Sequence, residues 1–144
     1  ALVALRAGAL WWVTQVAPGA PLTVDNPRVR MVPGGGPQAG YMEIGNHSDS
    51  PIRLVAADSP AFGNVMIHRT VVRDGQARME HQRGGVEIQP GGSAVFEPRD
   101  LHLMLMQPQT EFEVGDTVEV VLTFEGIAPN EWPIAFTVVP VTSQ

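Results

Sequence analysis

From Leu22 to the end of the chain, apolar residues never hold a helical period across three turns. They fall in short runs rich in Val, Ile, Leu, Thr and Phe, and Gly, Pro, Asn and Asp punctuate them every 8–12 residues. The predicted strands are 22–25, 28–32, 40–46, 52–57, 64–72, 77–82, 86–88, 93–97, 101–107, 117–125 and 134–140. Breaks fall at Val32-Pro-Gly-Gly-Gly-Pro37, Asn46-His-Ser-Asp-Ser-Pro51, Asp74-Gly75, Gln89-Pro-Gly-Gly92, Val114-Gly-Asp116 and Ala128-Pro-Asn130. That spacing predicts one all-β domain, an antiparallel Greek-key sandwich, over residues 21–144. Hydrophobic residues are 44% of the chain but aromatics only 6%, so the expected core is aliphatic.

Residues 1–20 have a different character. They are Ala- and Leu-rich with Arg6 as their one charge, and they meet a Pro-Gly stretch. Two readings stand side by side. One is the remnant of a secretory signal or membrane anchor; the other is a short arm or helix packed on the domain. Membrane contact is expected only under the first.

Charge and cysteine usage narrow the chemistry. All nine basic residues are Arg, fifteen residues are acidic, and the net charge is −6. No basic stripe for nucleic acid exists, and no polybasic patch for an anionic membrane. Absence of Cys removes disulfides, thiolate catalysis, thiolate zinc sites, iron–sulfur clusters and blue-copper sites.

The four His and six Met are the informative residues. Met66-Ile-His68, Met79-Glu-His81 and His102-Leu-Met104-Leu-Met106 each space soft donors by two, which puts them on one face of a strand. Asp74-Gly75 is a type I′ hairpin signal. Centred there, the register sets His68 opposite His81, Thr70 opposite Met79 and Arg69 opposite Glu80. His68, Met79, His81 and with them Met66 then share a face. In the third segment Leu101, Leu103 and Leu105 belong to the core, so His102, Met104 and Met106 point the other way, toward solvent or a loop. Thioether and imidazole donors suit Cu(I), a soft ion. Methionine does not titrate and survives oxidising conditions better than a thiol. Met31 and Met42 are expected to pack in the core and Met106 to pack beside the site, while His47 is expected in a solvated turn.

The segment from His68 to Met106 resembles the periplasmic copper chaperone family PCuAC. The resemblance rests on His68, ten residues, Met79, twenty-two residues, His102, one residue and Met104. Asp74-Gly75, the turn at 90–92, Val114-Gly-Asp-Thr-Val118, Leu122-Thr-Phe124 and Ala39-Gly-Tyr-Met-Glu-Ile-Gly-Asn46 add to it. It covers about residues 21–141. The resemblance implies a cupredoxin-like sandwich holding one Cu(I) through His68, Met79, His102 and Met104. It also implies a place outside the cytoplasmic membrane, periplasmic or tethered, and delivery toward the dinuclear copper site of cytochrome c oxidase. The expected partner is a copper acceptor, either an oxidase subunit or another copper chaperone. Two features depart from the pattern. The gap between Met79 and His102 is one residue longer, and His81 is an added imidazole. His81 is a further candidate ligand, expected to be recruited when Cu(I) is oxidised to Cu(II).

Other classes are a structural or adhesive sandwich with an incidental Met/His face, and a copper storage or detoxification protein. An enzyme is disfavoured. A metal hydrolase needs a carboxylate base beside its ligands, and strand parity sends Glu80 to the opposite face. No Ser-His-acid set and no His-Glu-x-x-His motif occurs.

Overall fold

The computed structural model describes residues 19–32, 34 and 36–141. Both readings of residues 1–20 bear on a segment that lies, up to residue 18, outside the described residues. Ten strands follow in order: β1 (Leu22–Arg30), β2 (Gln38–Asn46), β3 (Ile52–Asp58), β4 (Phe62–Arg73) and β5 (Gln76–His81). Then come β6 (Val86–Ile88), β7 (Ser93–Phe96), β8 (Leu101–Pro108), β9 (Thr117–Glu125) and β10 (Glu131–Val139). The chain is all-β, with no helix among the described residues.

Hydrogen bonding links the strands in the order β5-β4-β8-β7-β2-β1-β10-β9-β3-β6. β3 and β4 stand near opposite ends of that order yet touch in space, so the sheet folds over on itself. The enclosed core is largely aliphatic, with Phe96, Phe124 and Phe136 as its largest buried rings. Each fully buried aliphatic side chain contributes about 1.5–3 kcal/mol. Pairing is mostly antiparallel, as expected. Two contacts are parallel: β1 with β10, and a single bridge from Phe96 of β7 to Leu101 of β8. The β1–β10 pair joins the first strand to the last, a long-range contact that no local turn signal reports.

The first two predicted strands are one bulged strand. β1 shifts register between Asp25 and Arg28, where Asn26 has φ 51°. Leu22 and Val24 face the core before the bulge and Val29 after it, so inward parity changes from even to odd. A bulge inserts one residue and reverses which side chains face in. Here it aims Arg28 and Arg30 at the Tyr41 ring, with guanidinium carbons 5.2 Å and 5.4 Å from its centroid.

Two glycines position the site strands. Gly75 has φ 78° beside Asp74 at φ 53°, both left-handed as a type I′ turn requires, and they join β4 to β5. Gly40 lies where β2 meets β8; a Cβ there would stand 3.1 Å from Leu105 Cδ1 and 3.2 Å from Leu103 Cβ. That close approach seats β8 against β2 through the pairs Gly40–Leu103 and Ala39–Met104.

Candidate metal centre

Three adjacent strands carry the soft donors. The hairpin has the expected register: His68 pairs with His81, Arg69 with Glu80 and Thr70 with Met79. On its other side β4 pairs with β8, His68 opposite His102 and Met66 opposite Met104. His81, His68 and His102 therefore form a row across β5, β4 and β8. The His68 and His81 ring centroids are 5.7 Å apart, and those of His68 and His102 are 5.8 Å apart. Met66, Met79, Met104 and Met106 share the face by the alternation of strand side chains.

The opposite faces of these strands explain why the donors stand there. Leu101, Leu103 and Leu105 are buried in the core, as are Val65 and Ile67 of β4. Alternation leaves His102, Met104, Met66 and His68 on the outer face. His102, however, does not point into solvent as strand parity alone suggests; it is only 4% exposed. Its strand lies between β4 and β2, so neighbours on both sides cover the ring. At the sheet edge, by contrast, Met79 is 59% exposed and has no core role. Met79, His102, Met104, Thr70 and Tyr41 line one surface cleft of about 860 Å³.

The His102 ring is prepared as a donor. Its Nδ1 lies 3.0 Å from the main-chain oxygen of Asp100. A carbonyl only accepts, so Nδ1 carries the proton and Nε2 holds a bare lone pair. That Nε2 is buried with no hydrogen-bond partner, and so is Nδ1 of His68. Leaving such an atom unpaired costs about 1–3 kcal/mol. A late transition ion would satisfy both. Fixing a ligand's tautomer through a carbonyl on its other nitrogen is a common way to orient metal-binding imidazoles.

The Asp100 carboxylate takes part in the local ion pairing. Arg69 reaches it at 3.1 Å and Arg73 reaches Glu80 at 3.3 Å. Arg69 and Glu80 stand opposite each other as expected, while their charged ends pair with Asp100 and Arg73. Arg69 also stands opposite Leu101 of β8, the neighbour of Asp100, and turns that way. Glu80 is engaged by Arg73 on the face away from the donors. Both pairs are exposed, so each contributes under about 1 kcal/mol.

Burial holds the His68 pKa below its ordinary 6.5, and positive charge on His102 or His81 would lower it further. An unfolded chain then takes up this proton before the folded one. Stability of the metal-free protein is full above about pH 6.5 and falls as pH drops below it. Thermal melts of the metal-free protein from about pH 7 to about pH 5 should show that decline, with a shallower slope in His68→Gln. Equal slopes would remove His68 as the cause.

Among the described residues, no three His, Cys, Asp or Glu side chains gather closely enough to hold a metal. The three imidazoles make a row, not a cluster. In this row His81 neighbours His68, and His68 neighbours His102. Among the described residues no hard-ion or zinc cage is built. Any four-donor site on this face needs the thioethers.

A family model with the description "Putative lipoprotein LpqE-like" matches residues 22–134. The chain belongs to the LpqE-like family. A relative from Leifsonia xyli subsp. xyli, named "Putative lipoprotein Lxx21020", is 29% identical over 91 residues, 63% of this chain and 55% of its own length. The chain thus spans about half the length of that curated relative. DR1885 of Deinococcus radiodurans, solved without metal, has 30% identity and a TM-score of 0.64, covering 97% of this chain and 87% of that one. Its Cu(I) form has 28% identity and the same TM-score, covering 87% and 80%. A copper-bound PCuAC domain from PmoF2 has TM-score 0.69 at 22% identity, covering 84% and 94%. The LpqE-like chain therefore has the fold of PCuAC domains, and the resemblance drawn from His68 to Met106 holds.

Met31 and Met42 pack with the core, and His47 is exposed with Nε2 2.9 Å from Thr23 Oγ1. Sequence reasoning assigned no role to Tyr41, yet this LpqE-like domain buries that ring in the cleft beside Met104. Burial raises the Tyr41 pKa, against the pull of Arg30 and Arg28. The signal was available, since Tyr41 is the single tyrosine and follows Gly40 at the strand contact. Met66 lies directly opposite Met104. The hairpin register groups it with the β5 donors, but its pairing is with β8, which no turn signal reveals.

Proposed function

We propose that this protein binds one Cu(I) as cargo, through His68, Met79, His102 and Met104, and delivers it to another copper protein outside the cytoplasmic membrane. The observation that carries this reading is the His102 ring. Its tautomer is set by the Asp100 carbonyl, its Nε2 is buried without a partner, and its ring lies 5.8 Å from that of His68 on a methionine-bearing face. Two thioethers and two imidazoles suit a soft d¹⁰ ion without strong geometric demand. The Cu(I) form of DR1885 supports the choice of metal. Lipoprotein relatives support an extracytoplasmic, tethered location.

The protein acts as a carrier and not as an enzyme. Copper handed over by exchange of neutral ligands needs no general base, and Glu80, beside the donors in sequence, pairs with Arg73 on the opposite face. The acceptor fitting the PCuAC resemblance is an oxidase subunit bearing a dinuclear copper site, or another copper chaperone. Anaerobic titration with Cu(I) against a chromophoric chelator tests the reading. One tightly bound equivalent is expected. No binding in competition with the chelator would overturn it and leave an incidental Met/His face.

A further inference from the structure

The row of histidines has an exposed end and a buried end. His81 lies on the edge strand β5 and is exposed, His68 is half-buried, and His102 is buried. A ring nitrogen sits about 2.0 Å from a bound ion, and the ring centre about 1.2 Å behind it. Two imidazoles sharing one ion therefore place their centroids about 5.2–6.4 Å apart, from tetrahedral to linear arrangement. Both observed separations, 5.7 Å and 5.8 Å, fall in that span. His81 and His102 are second neighbours, with β4 between them and their backbones about 9.6 Å apart. His68 can thus share an ion with either neighbour, whereas no three such side chains among the described residues are gathered around one ion.

We propose that His81 and His68 form an outer landing position, from which Cu(I) passes inward by exchange of His81 for His102. The idea rests on the copper-carrier reading and adds its loading route. Cu(I) first binds the imidazoles of His81 and His68, with the exposed Met79 thioether beside them. The Cu–N bond to His81 then breaks as bonds to His102 Nε2 and the Met104 sulfur form. His68 stays attached throughout, so the ion is never released to water. Copper remains Cu(I) and no proton moves, because His102 Nε2 already holds a free lone pair. Release to an acceptor runs the same steps in reverse, with the edge of β5 as the point of contact. The extra imidazole that departs from the PCuAC pattern thereby gains a kinetic role.

Stopped-flow transfer of Cu(I) from and to a chromophoric chelator tests this in wild type, His81→Ala and His81→Met. A relay ligand speeds loading and release equally. His81→Ala should slow both by about tenfold or more, while their ratio, the equilibrium affinity, changes by less than about threefold. His81→Met supplies another soft donor and should restore both rates. His47→Ala, remote from the row, should match wild type. Unchanged rates in His81→Ala would overturn the relay and leave the copper-carrier reading intact. A tenfold or greater loss of affinity with faster release would make His81 a resident ligand and also overturn it. Failure of methionine to restore the rates would place the effect in packing and overturn the relay as well. A wild-type protein that binds no Cu(I) would remove the carrier reading and the relay together.

Discussion

Replacing His102 by alanine is expected to lower Cu(I) affinity by about 100-fold or more, roughly 2.7 kcal/mol. The effect is large because this ring is fixed before metal arrives. Its Nδ1 proton is held on the Asp100 carbonyl and its Nε2 is bare and buried. Neither rotamer nor tautomer must be selected on binding, so little of the interaction is lost to ordering. The ring also lies in a packed strand, so thermal melts should accompany the titration. His102→Gln retains much of the volume without the imidazole nitrogen and should lose affinity comparably. If both variants fold and bind Cu(I) within about threefold of wild type, His102 is a packing residue and the proposed ligand set is wrong.

The second large effect is selective. Replacing Met79 and Met104 together by alanine should weaken Cu(I) binding by about 100-fold or more and Cu(II) binding by less than about threefold. Cu(II) prefers nitrogen and oxygen donors, and the row of imidazoles is left intact. Met104→Ala alone should show the same preference on a smaller scale. Stability should hardly change at Met79, which is 59% exposed on the edge strand; surface substitutions of this kind fall within about ±0.5 kcal/mol. Competition titrations with each oxidation state measure the contrast. Equal losses for both ions would mean that the methionines support the site sterically and do not donate to the metal.

Much of this architecture was legible in the residues because its signals are local. Asp74-Gly75 determines a turn type, the turn type determines register, and register aligns His68 with His81 and Thr70 with Met79. Alternation in Leu101–Met106 separates the core leucines from the donors in the same way. What stayed hidden depends on contacts between distant segments. The bulge at Asn26 follows from packing of β1 against β2, and Asn-Pro by itself marks only a break. The burial of His102 comes from β2 and β4 on either side, brought together by chain segments more than thirty residues away. Arg69 turns to Asp100 for the same reason. Pairing across β8 also brings Met66 opposite Met104, and gives His68 a second imidazole neighbour. The relay geometry is therefore a property of three strands, although its outer half can be read from the hairpin alone.

A mixed thioether–imidazole donor set for Cu(I) stands at the centre of this account. X-ray absorption at the copper edge, on protein loaded with one equivalent of Cu(I), tests it most directly. The expected result is a Cu(I) edge with two sulfur and two nitrogen scatterers bound to the metal. Loss of the sulfur scatterers is expected in Met79→Ala/Met104→Ala. Coordination only by nitrogen and oxygen in the wild-type protein would contradict it.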